Sequence, residues 1–117
     1  MTVILIIEDD EVLRAHLCEG LNAAGFQVCD AENGDQGVRL FQQHSPNVVL
    51  TDLVMDGGEG IESIMEIRKM DPTVHIIAMS GNPEYLKISG KLGADNMLLK
   101  PFRMPQLIGV IEQERSL

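Results

Sequence analysis

Short apolar runs alternate with helical patterns five times along the chain, and this alternation constrains the fold more than any other feature. The strand-like runs are Val3–Ile7, Phe26–Ala31, Val48–Leu50, Val74–Met79 and Met97–Leu99. Because these runs are almost continuously apolar, they are typical of strands that are buried on both faces. Five such units predict an α/β fold, a doubly wound three-layer sandwich in which five helices cover a five-stranded parallel sheet.

Cap residues mark the helix boundaries between these runs. Gly25 closes the first helix, and Asn82 with Pro83 begins the fourth helix, which Gly93 ends. The first helix carries an apolar stripe at helical spacing, made of Val12, Leu13, His16, Leu17, Leu21 and Ala24. No repeat or linker interrupts the pattern, so residues 1–117 are interpreted as one domain.

Composition narrows the classes of function. Eighteen acidic and nine basic residues give a net charge of −9, which disfavours direct binding to nucleic acid or to a membrane surface. The longest apolar run is far too short to span a bilayer, so we expect a cytoplasmic protein. Cys18 and Cys29 lie in apolar segments without CxxC spacing, which predicts two reduced core thiols.

Polar side chains collect where four of the five predicted strands end. The carboxyl ends of parallel strands share one edge of a sheet, and ligands of open α/β proteins bind there. If the first and third strands are neighbours, their terminal acids converge at this edge. The polar groups, in chain order, are Glu8-Asp9-Asp10, Asp52, Ser80-Gly81 and Lys100-Pro101.

The convergence of acids predicts a bound cation. Two carboxylates about 4 Å apart repel each other by roughly 4 kcal/mol at an effective dielectric constant of 20, and Mg²⁺ is well suited to such oxygen ligands. Lys100 and Ser80 suit the oxygens of a transferring phosphoryl group, and Asp52 is a natural nucleophile. Simpler interpretations stay open for each group alone: Glu8-Asp9-Asp10 as a helix N-cap, Asp52 as a turn residue, Lys100 as a solvated side chain.

Four segments together resemble the receiver domain of response regulators in two-component signalling. They are Ile4–Asp10, Val48–Asp52, Ile76–Gly81 and Leu98–Phe102, and the resemblance covers essentially the whole chain. It implies the flavodoxin-like strand order 2-1-3-4-5, which places the first and third strands side by side.

The resemblance also implies roles for individual residues. Asp52 is the implied phosphoacceptor, Ser80 the hydrogen-bond donor to the phosphoryl group, and Lys100 its ion-pair partner, with a cis peptide bond before Pro101. The implied metal is Mg²⁺ or Mn²⁺. Its implied ligands are Asp9, Asp52 and the backbone carbonyl of Val54, with Glu8 acting through water.

Two positions depart from the usual family pattern. Asp56 follows Met55 where family members usually have proline, and Met97 stands where an aromatic switch residue is usual. We therefore expect Asp56 to affect metal binding or phosphate lifetime, and Met97 to change the amplitude of the switch. His16, His44 and His75 lie away from the acids and are interpreted as structural residues.

The implied phosphodonor is a sensor histidine kinase or a phosphotransfer protein. The implied output surface is formed by the fourth helix, the fifth strand and the fifth helix. Such a protein is a signalling phosphoacceptor rather than an enzyme, catalysing at most its own phosphorylation and dephosphorylation.

Two other functions compete with this interpretation. The first is a docking module of the same fold that works without phosphorylation. The second is a phosphatase with an aspartate nucleophile. Phosphatases of the haloacid dehalogenase type carry a second aspartate two residues after the nucleophile, where this chain has Val54.

Overall fold

A computed structural model of the chain describes residues 2–54 and 60–115. Five parallel strands form one sheet in the order β2-β1-β3-β4-β5, which confirms the predicted doubly wound arrangement. The strands are β1 (Val3–Ile7), β2 (Gln27–Ala31), β3 (Val48–Asp52), β4 (His75–Ser80) and β5 (Asn96–Leu99). The helices are α1 (Glu11–Ala23), α2 (Gly34–His44), α3 (Gly60–Met70), α4 (Pro83–Leu92) and α5 (Met104–Arg115).

Two apolar cores lie on opposite faces of the sheet, because successive side chains of a strand point to opposite sides. On one face, Leu5 and Ile7 pack with residues of α2, α3 and α4. On the other face, Ile4 and Ile6 pack with residues of α1 and α5. Strands β1, β3 and β4 are covered on both faces almost throughout, as their apolar runs predicted.

The two edge strands are covered less completely than predicted. In β5 the side chains of Met97 and Leu99 are exposed, and β2 is fully buried only at Ala31. An edge strand has a neighbour on one side only, so its apolar residues can lie at the border of the protein. The apolar run of β5 therefore identified a strand correctly but did not indicate its position in the sheet.

The caps of α4 agree with their predicted positions. The Asn82 side chain accepts a hydrogen bond from the Glu84 N–H, Pro83 is the first residue of α4, and Gly93 ends that helix with a φ of 132°. Because a φ of this size strains residues with a Cβ atom, glycine is required at that cap.

The buried stripe of α1 is narrower than predicted. Leu17 and Leu21 are fully buried, whereas Val12 is 80% exposed and His16 is also exposed. The helix shares this face of the sheet with α5, whose side chains cover the rest of the core. The apolar position Val12 is therefore a surface residue.

Both cysteines are free, as predicted, and each is half-buried. Cys18 packs against the core beneath α1 and α5, and Cys29 packs against the core on the opposite face of the sheet. Burial, and secondarily the negative charge of Asp30, raises the pKa of both thiols. Within the part of the chain that the structure describes, every helix is too short or too polar to cross a bilayer.

Candidate functional site

The site lies at the carboxyl edge of the sheet, where β1 and β3 end side by side. The register pairs Ile7 with Thr51, so that the residues following them emerge next to each other. Carboxylate oxygens of Glu8, Asp9 and Asp52 all lie within 4.8 Å of one another. The structure thus brings together the three acids that the sequence placed on two separate strand ends.

Glu8 is the most deeply buried of the three acids, with 1% of its surface exposed. Its Oε1 accepts a hydrogen bond from Lys100 Nζ at 2.9 Å, and its Oε2 accepts one from the Asp10 N–H at 3.1 Å. Burial raises the pKa of Glu8 to about 7, and the neighbouring Asp52 contributes in the same direction, although both hydrogen bonds oppose the rise. Glu8 therefore changes its charge near neutral pH.

Asp52 ends the central strand and is 7% exposed. Its Oδ2 accepts a hydrogen bond from Lys100 Nζ at 3.1 Å, and its Oδ1 lies 3.4 Å from the Val54 amide nitrogen that donates to it. Its backbone carbonyl accepts a hydrogen bond from the buried Thr51 hydroxyl at 2.9 Å. Hydrogen bonds therefore fix both the carboxylate and the backbone of Asp52.

Lys100 links the two carboxylates. Its backbone N–H donates to the Ser80 carbonyl at 2.8 Å, which fixes the start of the long side chain at the end of β4. Burial lowers the pKa of Lys100, but the hydrogen bond to Glu8 and the charges of Asp52 and Glu8 outweigh it, so the net shift is upward. The amine is therefore a fixed positive charge. The Lys100–Pro101 peptide bond is cis, as expected.

Ser80 is buried one residue beyond Met79, which pairs with Asp52 in the sheet. Its Oγ accepts a hydrogen bond from the Asn82 N–H at 3.0 Å. A hydroxyl can accept one hydrogen bond and donate another, so this contact leaves the Ser80 proton available to a ligand at the strand ends.

The three acidic residues that follow β1 have different roles. Asp10 is the N-cap of α1, and its Oδ1 accepts hydrogen bonds from the Val12 and Leu13 amides, each at 3.0 Å. The N-cap interpretation is therefore right for Asp10. Glu8 and Asp9 belong instead to the acid cluster with Asp52.

The remaining predicted residues lie around this cluster or apart from it. Val54 is exposed next to Asp52, while Met55 and Asp56 lie outside the described residues. Met97 lies beside Gly90 of α4, where an added Cβ would be 3.4 Å from the methionine Cε. The histidines are outside the acid cluster. His75 is buried with its Nε2 2.6 Å from Asn96 Oδ1, and His16 and His44 are exposed.

Sequence reasoning missed two residues that position Asp52. They are Thr51 and Gly60, the first residue of α3, to which the sequence assigns no role at the site. A Cβ added at Gly60 would lie 1.8 Å from the carbonyl oxygen of Asp52, so only glycine lets α3 begin this close to the strand. The glycine was visible in the sequence, but its contact depends on tertiary structure.

The residues present fit a divalent cation. Three carboxylates share the positive charge of one ammonium group, so the acidic groups of the cluster outnumber the basic one. Carboxylate and carbonyl oxygens are the ligands that Mg²⁺ prefers. Asp9, Asp52 and Glu8 supply such oxygens at one point, and the Val54 carbonyl lies two residues from Asp52 in the chain.

Comparisons with known proteins agree with this geometry. The response regulator receiver domain family matches residues 4–112. The chemotaxis protein CheY of Halobacterium salinarum is 36% identical over 111 residues, which is 92% of each chain. The chain spans about half the length of several other relatives, among them transcriptional regulators.

Solved structures show the same fold. A CheY-like receiver domain protein from Methanospirillum hungatei superposes with a TM-score of 0.92 at 25% identity, covering 97% of this chain and 93% of that one. The response regulator TrrA of Thermotoga maritima, solved in complex with Mg²⁺–BeF, gives 0.89 at 29% identity and covers 97% and 98% of the two chains. The chain belongs to the response regulator receiver domain family.

Proposed function

We propose that Asp52 accepts a phosphoryl group from a phosphohistidine of a sensor histidine kinase or a phosphotransfer protein, in a reaction that requires Mg²⁺ or Mn²⁺. The observation that carries the proposal is the position of the Asp52 carboxylate, bonded to Lys100 and within 4.8 Å of oxygens of Glu8 and Asp9. A half-buried lysine and an acid cluster around one carboxylate suit phosphoryl transfer better than turnover of a free substrate.

In the proposed reaction, a carboxylate oxygen of Asp52 forms a bond to phosphorus while the bond between phosphorus and the histidine nitrogen breaks. Asp9, Asp52 and the Val54 carbonyl, with Glu8 acting through water, would hold the cation, which would offset negative charge on the phosphoryl oxygens. Lys100 supplies a second positive charge, already directed at Asp52. The Ser80 hydroxyl donates a hydrogen bond to a phosphoryl oxygen.

Two further observations support the proposal. The TrrA relative has been crystallised with Mg²⁺–BeF, which mimics a phosphoryl group beside its metal. In addition, β5 exposes the apolar side chains of Met97 and Leu99 on the surface that would change partner in response to phosphorylation. The output partner would bind at this face together with α5.

The test is the intact mass of the protein after incubation with a small phosphodonor such as acetyl phosphate. We expect one added phosphoryl group with Mg²⁺ and none with a chelator. Asp52→Asn should lose the addition, whereas Asp35→Asn, an exposed aspartate in the first turn of α2, should keep it. An unmodified wild type would favour the docking-module alternative. Continuous release of phosphate over many turnovers would favour the phosphatase.

A further inference from the structure

Apolar side chains of α3 and α4 are exposed along the groove between the two helices. Met65 of α3 is 41% exposed, and Tyr85 and Ile88 of α4 are 40% and 44% exposed. Tyr85, Ile88 and Leu92 recur at i, i+3 and i+7, so they form one stripe along α4. Contiguous exposed apolar surface of this kind marks interaction sites.

The groove has two different ends. At the end near the strand tips, a cavity is lined by Leu53, Val54, Ile61 and Tyr85. At the other end, a wider cavity of about 280 Å³ is lined by Met65, Arg68, Lys69, Lys91 and Leu92. The groove is therefore apolar along its length and basic at the end where α3 and α4 terminate.

The positive charge at this basic end is available to a partner. Arg68 is occupied, because its guanidinium bonds Asp95 and four backbone carbonyls. Lys69 and Lys91 form no ion pair within residues 2–54 and 60–115. Two unpaired lysines beside apolar side chains are notable in a chain of net charge −9.

We propose that this α3–α4 groove binds an amphipathic helix of a partner protein, with acidic residues at its N-terminal end lying against Lys69 and Lys91. The partner helix would run antiparallel to α3 and α4, so that its positive dipole end meets the negative ends of both helices. Its apolar residues would match the stripe on α4, which spans seven residues or about 10 Å. This binding is separate from the phosphoryl chemistry proposed for Asp52.

A helix fits the groove better than the other occupants. An extended strand gains affinity from backbone hydrogen bonds, and the groove offers none because both walls are helices. A second copy of this chain is disfavoured, because two chains of net charge −9 repel each other. Charge complementarity therefore selects an acidic amphipathic helix.

The experiment uses a synthetic helical peptide of about 15 residues, long enough to form a helix, with leucines at i, i+4 and i+7 and glutamates in its first turn. A matched peptide carries lysines in place of the glutamates. Tyr85 is the only tyrosine and the chain has no tryptophan, so its fluorescence reports directly on the groove when the peptides lack both residues. Amide chemical shifts locate the binding surface independently.

We expect the glutamate peptide to bind unphosphorylated wild-type protein and to shift amides of α3 and α4. The Lys69→Glu/Lys91→Glu variant should bind it about tenfold more weakly, as expected for the reversal of two exposed ion pairs, and should prefer the lysine peptide. Arg39→Glu/Lys87→Glu is the control, because it changes the net charge equally. It should bind the glutamate peptide like the wild type.

Three results would overturn the proposal. The first is an unchanged Tyr85 signal together with unchanged amide shifts at saturating peptide. The second is an equal loss of binding in the control variant, which would reduce the effect to net charge. The third is self-association of the wild type that Lys69→Glu/Lys91→Glu abolishes, which would identify a second copy as the occupant.

Discussion

Replacing Lys100 by methionine should destabilise the metal-free protein strongly at alkaline pH. Lys100 Nζ is the partner of both Glu8 and Asp52, and both carboxylates are almost fully buried. Without the amine, two negative charges within 4.8 Å of each other are left to repel. At that separation and an effective dielectric constant of 20, the repulsion is roughly 3 kcal/mol, which matches the usual cost of removing one partner from a buried pair.

The assay is urea unfolding followed by far-UV circular dichroism at pH 8 with a chelator present. We expect the free energy of unfolding to fall by about 3 kcal/mol in Lys100→Met. It should recover most of this loss in the double variant Glu8→Gln/Lys100→Met, where only one buried charge remains. Lys87→Met, at an exposed lysine of α4, is the matched control and should change stability little.

The same unfolding measurement with Mg²⁺ in place of the chelator tests the role of Lys100 a second time. If a cation can replace the missing ammonium group, adding Mg²⁺ should stabilise Lys100→Met more than it stabilises the wild type. A loss below 1 kcal/mol in the single variant would refute the assigned role of Lys100. So would a double variant that is no more stable than Lys100→Met.

Three further predictions concern the residues around this pair. The folded-state pKa of Glu8 is about 7, above its ordinary value of 4.5, so the stability that Glu8 provides is full below pH 4.5 and is lost as the pH rises through 7. In chelator, Glu8→Gln should therefore gain up to about 3 kcal/mol in free energy of unfolding relative to the wild type between pH 5 and pH 8. Urea unfolding at the two pH values measures this difference. Gly60→Ala should lower the thermal unfolding temperature and slow phosphorylation by acetyl phosphate, because its methyl group would collide with the Asp52 carbonyl. Gly109→Ala is the control, because a Cβ there meets nothing within 4 Å, and its unfolding temperature should be unchanged or slightly higher. Asn82→Ala should cost about 1 kcal/mol in thermal unfolding through the lost N-cap of α4, whereas Asn82→Ser should retain most of it.

The strand pattern predicted the fold because each strand and helix of a doubly wound sheet has its own local spacing of apolar residues. β1 begins and ends at the predicted residues, and the other strands differ by one or two residues at their ends. Burial at the borders was less predictable. Val12 and Met97 are apolar and belong to regular elements, yet both are exposed, because exposure depends on which neighbouring element covers them.

The acid cluster could be predicted for a related reason. The ends of parallel strands share one edge, so Glu8, Asp52 and Lys100 could be placed together without coordinates. The contact of Gly60 with the Asp52 carbonyl could not, since it requires the path of the chain between β3 and α3. The division of the trio into a cap at Asp10 and a cluster residue at Glu8 depends likewise on the direction in which each side chain points.

The geometry also implies an opposition between stability and function at this edge of the sheet. Lys100 can neutralise only one of the charges on the three acids, so repulsion among them remains, and burial together with the charge of Asp52 raises the pKa of Glu8 to about 7. Any substitution that removes a carboxylate relieves this repulsion and should stabilise the metal-free fold. The same substitution removes an oxygen that the proposed cation needs, so it should weaken Mg²⁺ binding. Stability measured in chelator and affinity for Mg²⁺ should therefore change in opposite directions in Glu8→Gln and Asp52→Asn, because a buried acid cluster without its cation is a strained state that metal binding relieves.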